Sequence, residues 1–373
     1  MKKGLLFGLS LLIILQIVAF GFFDVEGLLS VLNFKTNASE NLQTGVNLHN
    51  PLLGRQAEET RQENSLYQQD MNEDKIVELS RKSQRVNSPY KVIKQTKGYE
   101  SLNTNTEKKI YKEMINSSYC ISEKVNDKGL YPTKKMEFCS SEISQKEIKK
   151  AMNAFLMDNP QIFWLDESYG FCYHNSSTYI QLYSFISPNE CENLLSDMDK
   201  KIDEFVLSIP LGLSEFDREL YIHDRLLLNC SYDTDAANQE NAWQSYTAYG
   251  AMVNGKAVCE GYSKAMQALL SCVGIKCTLV GGISNQALHM WNAVLIDDNW
   301  YHLDVTWDEP DKKMNRYDYF NITDEIILKD HIIDPDYDTL FESNKQESDN
   351  KPKLFNIGVP QCNADDANYY KVN

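Results

Sequence analysis

Three residues able to do acyl-transfer chemistry follow one another in the second half of the chain: Cys259, His289 and Asp304. A thiol attacks as its thiolate, an imidazole can take the thiol proton, and a carboxylate can hold that imidazole in one tautomer. Together they follow the triad logic of acyl transfer with sulfur in place of oxygen. Each sits in its own local context. Cys259 lies in Gly255-Lys256-Ala257-Val258-Cys259-Glu260-Gly261-Tyr262, His289 in Leu288-His289-Met290-Trp291-Asn292, and Asp304 in Trp300-Tyr301-His302-Leu303-Asp304-Val305-Thr306-Trp307.

The elements that must position them are readable from spacing. Asn254-Gly255 is a turn signal, and Tyr262, Ala265, Met266, Leu269, Leu270 and Val273 recur as one face of a helix that Gly274 ends. Cys259 therefore stands at or just before a helix N-terminus, where unpaired N–H groups and the macrodipole favour a thiolate. Glu260 partly opposes this with its own negative charge. Gly261, lacking a Cβ, lets a substrate or another backbone come close. Strands are expected over Lys276–Ile283, His289–Asp297, and Asn299 or Trp300 to Trp307, the last two forming an antiparallel hairpin. A loop with an even number of residues puts His289 and Asp304 on one face. A loop at Asp298-Asn299 would pair Asp304 with Ala293, whereas a loop from Ile296 to Asn299 pairs it with Trp291, a diagonal neighbour of His289. The second register is the one expected.

Other residues compete for these roles. His302 precedes Asp304 on the same strand face and is the rival base, but the surroundings of His289 favour His289. His223 shares a helical pattern with Asp224 and reads as packing; His174 and His331 have no chemical context beyond a turn and a helix end. Cys272 and Cys277 read as small buried apolar residues, and their separation is wider than a zinc-binding Cys-x-x-Cys pair. Trp291, Trp300 and Trp307 read as core or cleft wall, one of them able to shield a thiolate–imidazolium pair from water. The backbone N–H of Cys259 is the natural first oxyanion donor. Trp243, Gln244 and Tyr249 remain open as sources of the second.

At these residues the chain resembles the transglutaminase-like superfamily, whose fold is papain-like. The resemblance runs from about Phe216 to His331: Tyr221-Ile222-His223-Asp224-Arg225-Leu226, Ser231-Tyr232-Asp233, Val258-Cys259-Glu260-Gly261-Tyr262-Ser263, Val280-Gly281-Gly282, the segments around His289 and Asp304, and Tyr319-Phe320-Asn321. It is similar to bacterial secreted or surface-anchored members, and Asp158 to Leu165 also resembles a stretch found upstream in some of them. The resemblance implies an α+β fold, with a Cys-bearing helix packed on an antiparallel sheet that carries His and Asp. It also implies Cys259 as nucleophile, His289 as base and acid, and Asp304 as orienter. The superfamily holds protein cross-linkers, peptidases and amidases, so the expected chemistry is attack on a glutamine carboxamide or peptide amide through a thioester. The alternatives are a papain-like peptidase or amidase, or a non-catalytic surface binding module that has kept the fold. No metal or organic cofactor is expected.

The ends and composition extend this reading. Met1-Lys2-Lys3 precedes an apolar run from Gly4 to Phe23, long enough at about 1.5 Å per residue to reach the ~30 Å of a bilayer core. Residues 1–23 are expected to be a membrane anchor with the lysines inside, or a cleaved signal segment with its site at Ala19-Phe20-Gly21. Residues 24–85 read as a polar stalk, 86–190 as a small α+β accessory region, 191–341 as the catalytic domain, and 342–373 as a polar tail, with a strand expected over Leu354–Val359. The expected location is the cell membrane with the catalytic domain outside the cytoplasm, or secreted if the segment is cleaved. The expected partners are a protein or peptide substrate, including cell-wall peptide, and the membrane. Thirty-seven basic against 53 acidic residues give a net charge of −16, which excludes nucleic acid as the expected partner. Nine cysteines are an odd number, leaving one thiol unpaired if the others pair. Cys120 with Cys139 and Cys172 with Cys191 are the candidate bridges.

Overall fold

The computed structural model describes residues 44–47, 97–139, 143–236, 242–309, 317–336 and 356–364. The expected anchor at 1–23, most of the stalk and most of the tail lie outside these residues. Among the described residues no helix is long and apolar enough to cross a membrane.

Helices begin where the sequence supplies caps. After the short α1 (Lys97–Glu100), Thr104 and Glu107 close a capping box that opens α2 (Asn105–Ser118), and Ser144 with Glu147 does the same for α3 (Gln145–Asp158). Ser187 followed by Pro188 starts α4 (Pro188–Leu207), and Ser214 starts α5 (Glu215–Asn229). Between α3 and α4 run β4 (Leu165–His174) and β5 (Ser177–Ser184), joined by Asn175 and Ser176 at φ 47° and 61°. Two consecutive left-handed residues are what a two-residue hairpin turn needs. The sheet orders β1 (Thr44–Asn47), β4, β5 and β2 (Tyr131–Pro132), with β3 (Met136–Phe138) also on β5. Thr44–Asn47, inside the segment read as a stalk, is thus an edge strand paired with Tyr169–Cys172.

The second half is the helix and sheet expected. A short parallel pair, β6 (Ser231–Tyr232) with β7 (Lys256–Ala257), leads into α6 (Cys259–Cys272). Then come β8 (Lys276–Ser284), β9 (Ala287–Ile296), β10 (Asn299–Leu303), α7 (Asp324–Ile327) and β11 (His331–Ile333). The four strands form an antiparallel sheet in the order β10-β9-β8-β11. Asp297 and Asp298, at φ 45° and 66°, turn β9 into β10 and pair Asn299 with Ile296. The turn is tighter than the loop expected from the sequence, yet the alignment is the expected one. Leu303 pairs with Asn292, so the next residue, Asp304, falls opposite Trp291.

Strand alternation then sorts the side chains. One face of the sheet, with Cys277, Leu279, Met290 and Val294, joins the large core that includes Tyr262, Met266 and Leu269 of α6. The other, with Val280, Trp291 and Ala293, packs on Tyr319, Ile322, Ile327 and Cys362. The large core also takes in Phe155, Phe163 and Trp164 from the upstream region, and Gln267 of α6 donates to the Met157 carbonyl at 2.9 Å. Each fully buried ring or aliphatic chain is worth about 1.5–3 kcal/mol, so α3 and the turn after it are part of what holds α6 in place. The expected strand over Leu354–Val359 is reduced, among the described residues, to a single bridge between Asn356 and Asp336. The Asn356 side chain accepts from Gly281 N–H at 2.8 Å and donates to its carbonyl at 2.9 Å.

The nine cysteines are all free thiols. The expected Cys120–Cys139 and Cys172–Cys191 bridges are not formed; Cys120, Cys172 and Cys191 are instead buried as apolar residues.

Candidate active site

Cys259 is the first residue of α6. Its helix, unlike α2 to α5, has no side-chain cap, because Val258 stands at the N-cap. Val258 offers no side-chain acceptor to the first N–H groups, and the thiol stands at the positive end of the helix. The opposing charge of Glu260 is met by Lys264 one turn on, at 2.6 Å. Gly261 is required by close backbone: a Cβ there would stand 2.5 Å from the Ser245 carbonyl oxygen and 3.0 Å from that of Thr247. Cys259 is partly exposed, whereas Cys191, Cys230, Cys272, Cys277 and Cys362 are buried. Burial pushes the Cys191 and Cys230 thiols up to about 12 and that of Cys277 well above its ordinary value.

His289 on β9 and Asp304 just past β10 meet as the register requires, Nε2 to Oδ2 at 2.6 Å. The thiol of Cys259 is hydrogen-bonded to the same imidazole, leaving Nδ1 for sulfur since Nε2 faces Asp304. Burial disfavours charge on the ring, but the carboxylate of Asp304, its hydrogen bond and the Cys259 thiol outweigh burial and push His289 up to about 10. Burial likewise works against the Asp304 anion. The charge and hydrogen bond of His289, joined by His331, hold its carboxyl well below the usual range all the same.

Both oxygens of Asp304 are occupied. Oδ1 accepts the backbone N–H groups of Thr306 at 3.0 Å and Trp307 at 3.2 Å. Oδ2 faces a second ring besides His289: His331 Nε2 at 3.2 Å. His331, which had no chemical context in the sequence, thus stands beside the candidate triad, its ring centroid 5.4 Å from that of His289. This corrects the reading of His331 as a bystander. Its register explains why, since pairing with Ser284 puts it on the face of β8 that also carries Gly282, the partner of His289.

His302, the rival base, is committed elsewhere. Trp291 donates its indole N–H to His302 Nδ1 at 3.0 Å, so the ring proton sits on Nε2, which donates to Asp324 at 2.8 Å. Trp291 is fully buried and stacks on His289 at 5.9 Å, and Trp307 approaches the same ring edge-on at 6.4 Å. These two indoles wall the imidazole from water, while Trp300 lies under the Lys97 ammonium. His223 packs as expected: it is fully buried, bridging Asp224 and Asp308 at 3.2 Å each.

The side chains left open as the second oxyanion donor make contacts of their own. Trp243 stacks on Phe185, Gln244 accepts from Asn254 at 2.8 Å, and Tyr249 packs on Phe163. Besides His289, Tyr232 touches Cys259, its phenol oxygen accepting the Cys259 backbone N–H. Burial and the neighbouring Cys259 and Tyr246 push this phenol up to about 12, so it keeps its proton at neutral pH. The pairing of Tyr232 with Ala257, and Glu309 accepting the Tyr232 N–H at 3.0 Å, hold it there.

Among the described residues, two groups of side chains have donor atoms close enough to hold a cation: His289 with Asp304 and His331, and His302 with Asp324 and Cys362. In the second, the Trp291 bond leaves the proton on the His302 nitrogen that a metal would need. In the first, both Nε2 atoms are spent on Asp304 Oδ2, and a cation would take the orienter from the base.

Residues 210–305 match the family model of the transglutaminase-like superfamily. Over 88 residues the chain is 28% identical to kyphoscoliosis peptidase of Mus musculus, a match covering 20% of this chain and 13% of that protein. Among solved structures it is similar to a TGase, with 15% identity, 48% of this chain and 52% of the other covered, and a TM-score of 0.28. A candidate cysteine protease from Cytophaga hutchinsonii is similar at 14% identity, with 42% and 55% covered and a TM-score of 0.26. The chain thus spans about half of these solved chains and a small part of the mouse protein. The likeness to the transglutaminase-like superfamily thus lies in residues 210–305.

Proposed function

We propose that this chain is a cysteine-dependent acyltransferase or hydrolase acting on glutamine carboxamides or peptide amides, with Cys259 as nucleophile, His289 as base and acid, and Asp304 as orienter. The observation that carries the reading is the convergence on one imidazole of a helix-start thiol on one side and a buried carboxylate at 2.6 Å on the other. The thiolate sulfur bonds to the amide carbonyl carbon, and the resulting oxyanion takes hydrogen bonds from the Cys259 N–H and the Tyr232 hydroxyl. In the free protein these two donors face each other. Collapse breaks the C–N bond; His289 gives its proton to the departing nitrogen and a thioester remains. An amine or water then attacks the thioester, His289 takes the incoming proton, and the thiolate leaves. With an amine the product is a cross-link, and with water a deamidated or cleaved chain.

The proposed setting is extracytoplasmic, at the membrane or released from it, on the strength of the lysines and apolar run at 2–23. The proposed substrate is a protein or peptide, with cell-wall peptide included. Mass spectrometry after brief exposure to iodoacetamide at neutral pH tests the chemistry: Cys259 should be modified ahead of the other eight thiols. Uniformly slow labelling would favour a binding module that keeps the fold without turnover.

A further inference from the structure

We propose that His331, backed by Asp330, is a positioning residue for the candidate triad: it pins the oxygen of Asp304 that His289 uses and shares the carboxylate's charge. The inference rests on the Cys259–His289–Asp304 reading and goes beyond it. His331 is fully buried on the first residue of β11. Its Nε2 lies 3.2 Å from Asp304 Oδ2, and its Nδ1 lies 2.6 Å from Asp330 Oδ1. Asp330 is in turn fixed by the Tyr319 hydroxyl, which donates to Oδ2. The rings of Trp291, Trp307 and Tyr319 enclose the imidazole at 5.1, 4.8 and 5.5 Å.

The physical argument concerns one oxygen with two donors. A carboxylate held at Oδ1 by two backbone N–H groups can still present Oδ2 off the line to His289; His331, with both ring nitrogens protonated between the Asp304 and Asp330 carboxylates, is the second donor on Oδ2 that fixes that line. The same donor draws on the anion's charge, so His289 feels less of it than it would from a singly bonded carboxylate. Removing the donor therefore strengthens the hold of Asp304 on the His289 proton. The titratable groups facing His331 are Asp330 from its own segment, Asp304 from beyond β10, His289 from β9 and the Tyr319 phenol. Asp304 and Asp330 bond it directly, while the His289 and Tyr319 rings pack beside it.

Two substitutions of similar size and polarity separate the effect from bulk packing. Asn at 331 carries its amide no farther than the position of Nδ1, so it can bond Asp330 but not Asp304. Gln carries its amide to the position of Nε2 and can bond Asp304. The reaction of Cys259 with iodoacetate is followed by mass spectrometry of the Cys259 peptide from about pH 5 to about pH 11. An anionic reagent reports the imidazolium, so the wild-type rate should fall as His289 loses its proton near pH 10. His331→Asn should move that fall upward by roughly one pH unit, the scale of one hydrogen bond to a charged group. His331→Gln, which restores the bond to Asp304 without the ring's charge, should move it by clearly less than His331→Asn. Asp330→Asn, at a side chain 40% exposed, should move it the same way by less and supplies the answer if His331→Asn does not fold. Equal profiles for Asn and Gln, or an unmoved limb in Asp330→Asn, would overturn the proposal. His289→Ala is the control: a wild-type profile there sinks the triad reading itself, whereas a changed profile with unmoved 331 variants sinks only this inference.

Discussion

Asp304→Asn is the sharpest perturbation of the site, because the surroundings dictate how the amide must sit. The backbone N–H groups of Thr306 and Trp307 donate to the Oδ1 position, so the asparagine oxygen has to take that place. The amide nitrogen then replaces Oδ2 and presents hydrogens to His289 Nε2 and His331 Nε2, where the wild type presents an acceptor. His289 must answer with a lone pair at Nε2, which moves its proton to Nδ1 and leaves no acceptor toward the thiol. The energetic scale follows from the ring. His289 is pushed from 6.5 to about 10 in the presence of Asp304 and Cys259, which corresponds to roughly 5 kcal/mol of preference for the imidazolium. Loss of the anion removes the largest favourable part of that. Two rates should then separate. An ordinary thiol is only a few per cent thiolate at neutral pH, so alkylation of Cys259 should slow by about 30-fold. Turnover also needs the proton given back to the leaving nitrogen and should fall by about 10³–10⁴-fold, with a residual rate from the oxyanion donors. Alkylation kinetics at neutral pH and a product assay on a peptide amide read the two quantities, with far-ultraviolet circular dichroism confirming the fold. Wild-type alkylation and turnover in a folded Asp304→Asn protein would refute the orienter role and the tautomer argument with it.

Four other outcomes are expected. Cys259→Ala should abolish thioester formation while unfolding at the wild-type urea midpoint, since a small residue at an uncapped helix start costs little; retained activity would remove Cys259 from the mechanism. Tyr232→Phe should lower turnover by about 10²-fold with little change in Cys259 alkylation, because it deletes a donor to the oxyanion and not the base; equal losses in both would make Tyr232 part of thiol activation instead. His302→Ala should leave alkylation of Cys259 within a few-fold of wild type but lower stability by about 1–3 kcal/mol, the cost of stranding the buried Trp291 N–H; a large kinetic loss with intact stability would reopen the choice of base. For pH, the raised His289 value gives the sign: the stability it contributes is complete below its unfolded value of 6.5 and is lost as pH rises toward about 10. Urea unfolding of wild type and His289→Gln across that window should converge with rising pH, and parallel curves would show that the His289–Asp304 pair does not form in solution.

The helix and hairpin were legible because each rests on local chemistry. Gly255 at φ 69° and Gly274 at φ 83° bracket α6, as their places in the sequence suggest. The alignment of Asp304 with Trp291 followed from face-matching alone, although the turn closes one residue pair earlier than the loop expected. The structural reason to prefer His289 to His302 was not within reach. Nothing in the spacing says that Trp291, on the strand beside His302, spends its indole N–H on that ring.

What stayed hidden arrives from outside the hairpin. Tyr232 is brought to Cys259 by a two-residue parallel pairing of β6 with β7, too short to leave a periodic signal. His331 is brought to Asp304 by β11, which adds to the far side of β8, so its position depends on a pairing that skips two strands in the chain. Period two fixes which residues of a strand share a face, but it is silent about which strand lies beside which. The consequence is chemical. Read from the hairpin alone, Asp304 serves one imidazole; with β11 in place, the same carboxylate oxygen stands between two. On the proposed reading, the basicity of His289 is then a property of the sheet order as well as of Cys259, His289 and Asp304, and a substitution in β11 should alter the chemistry at Cys259 without touching any residue of the hairpin.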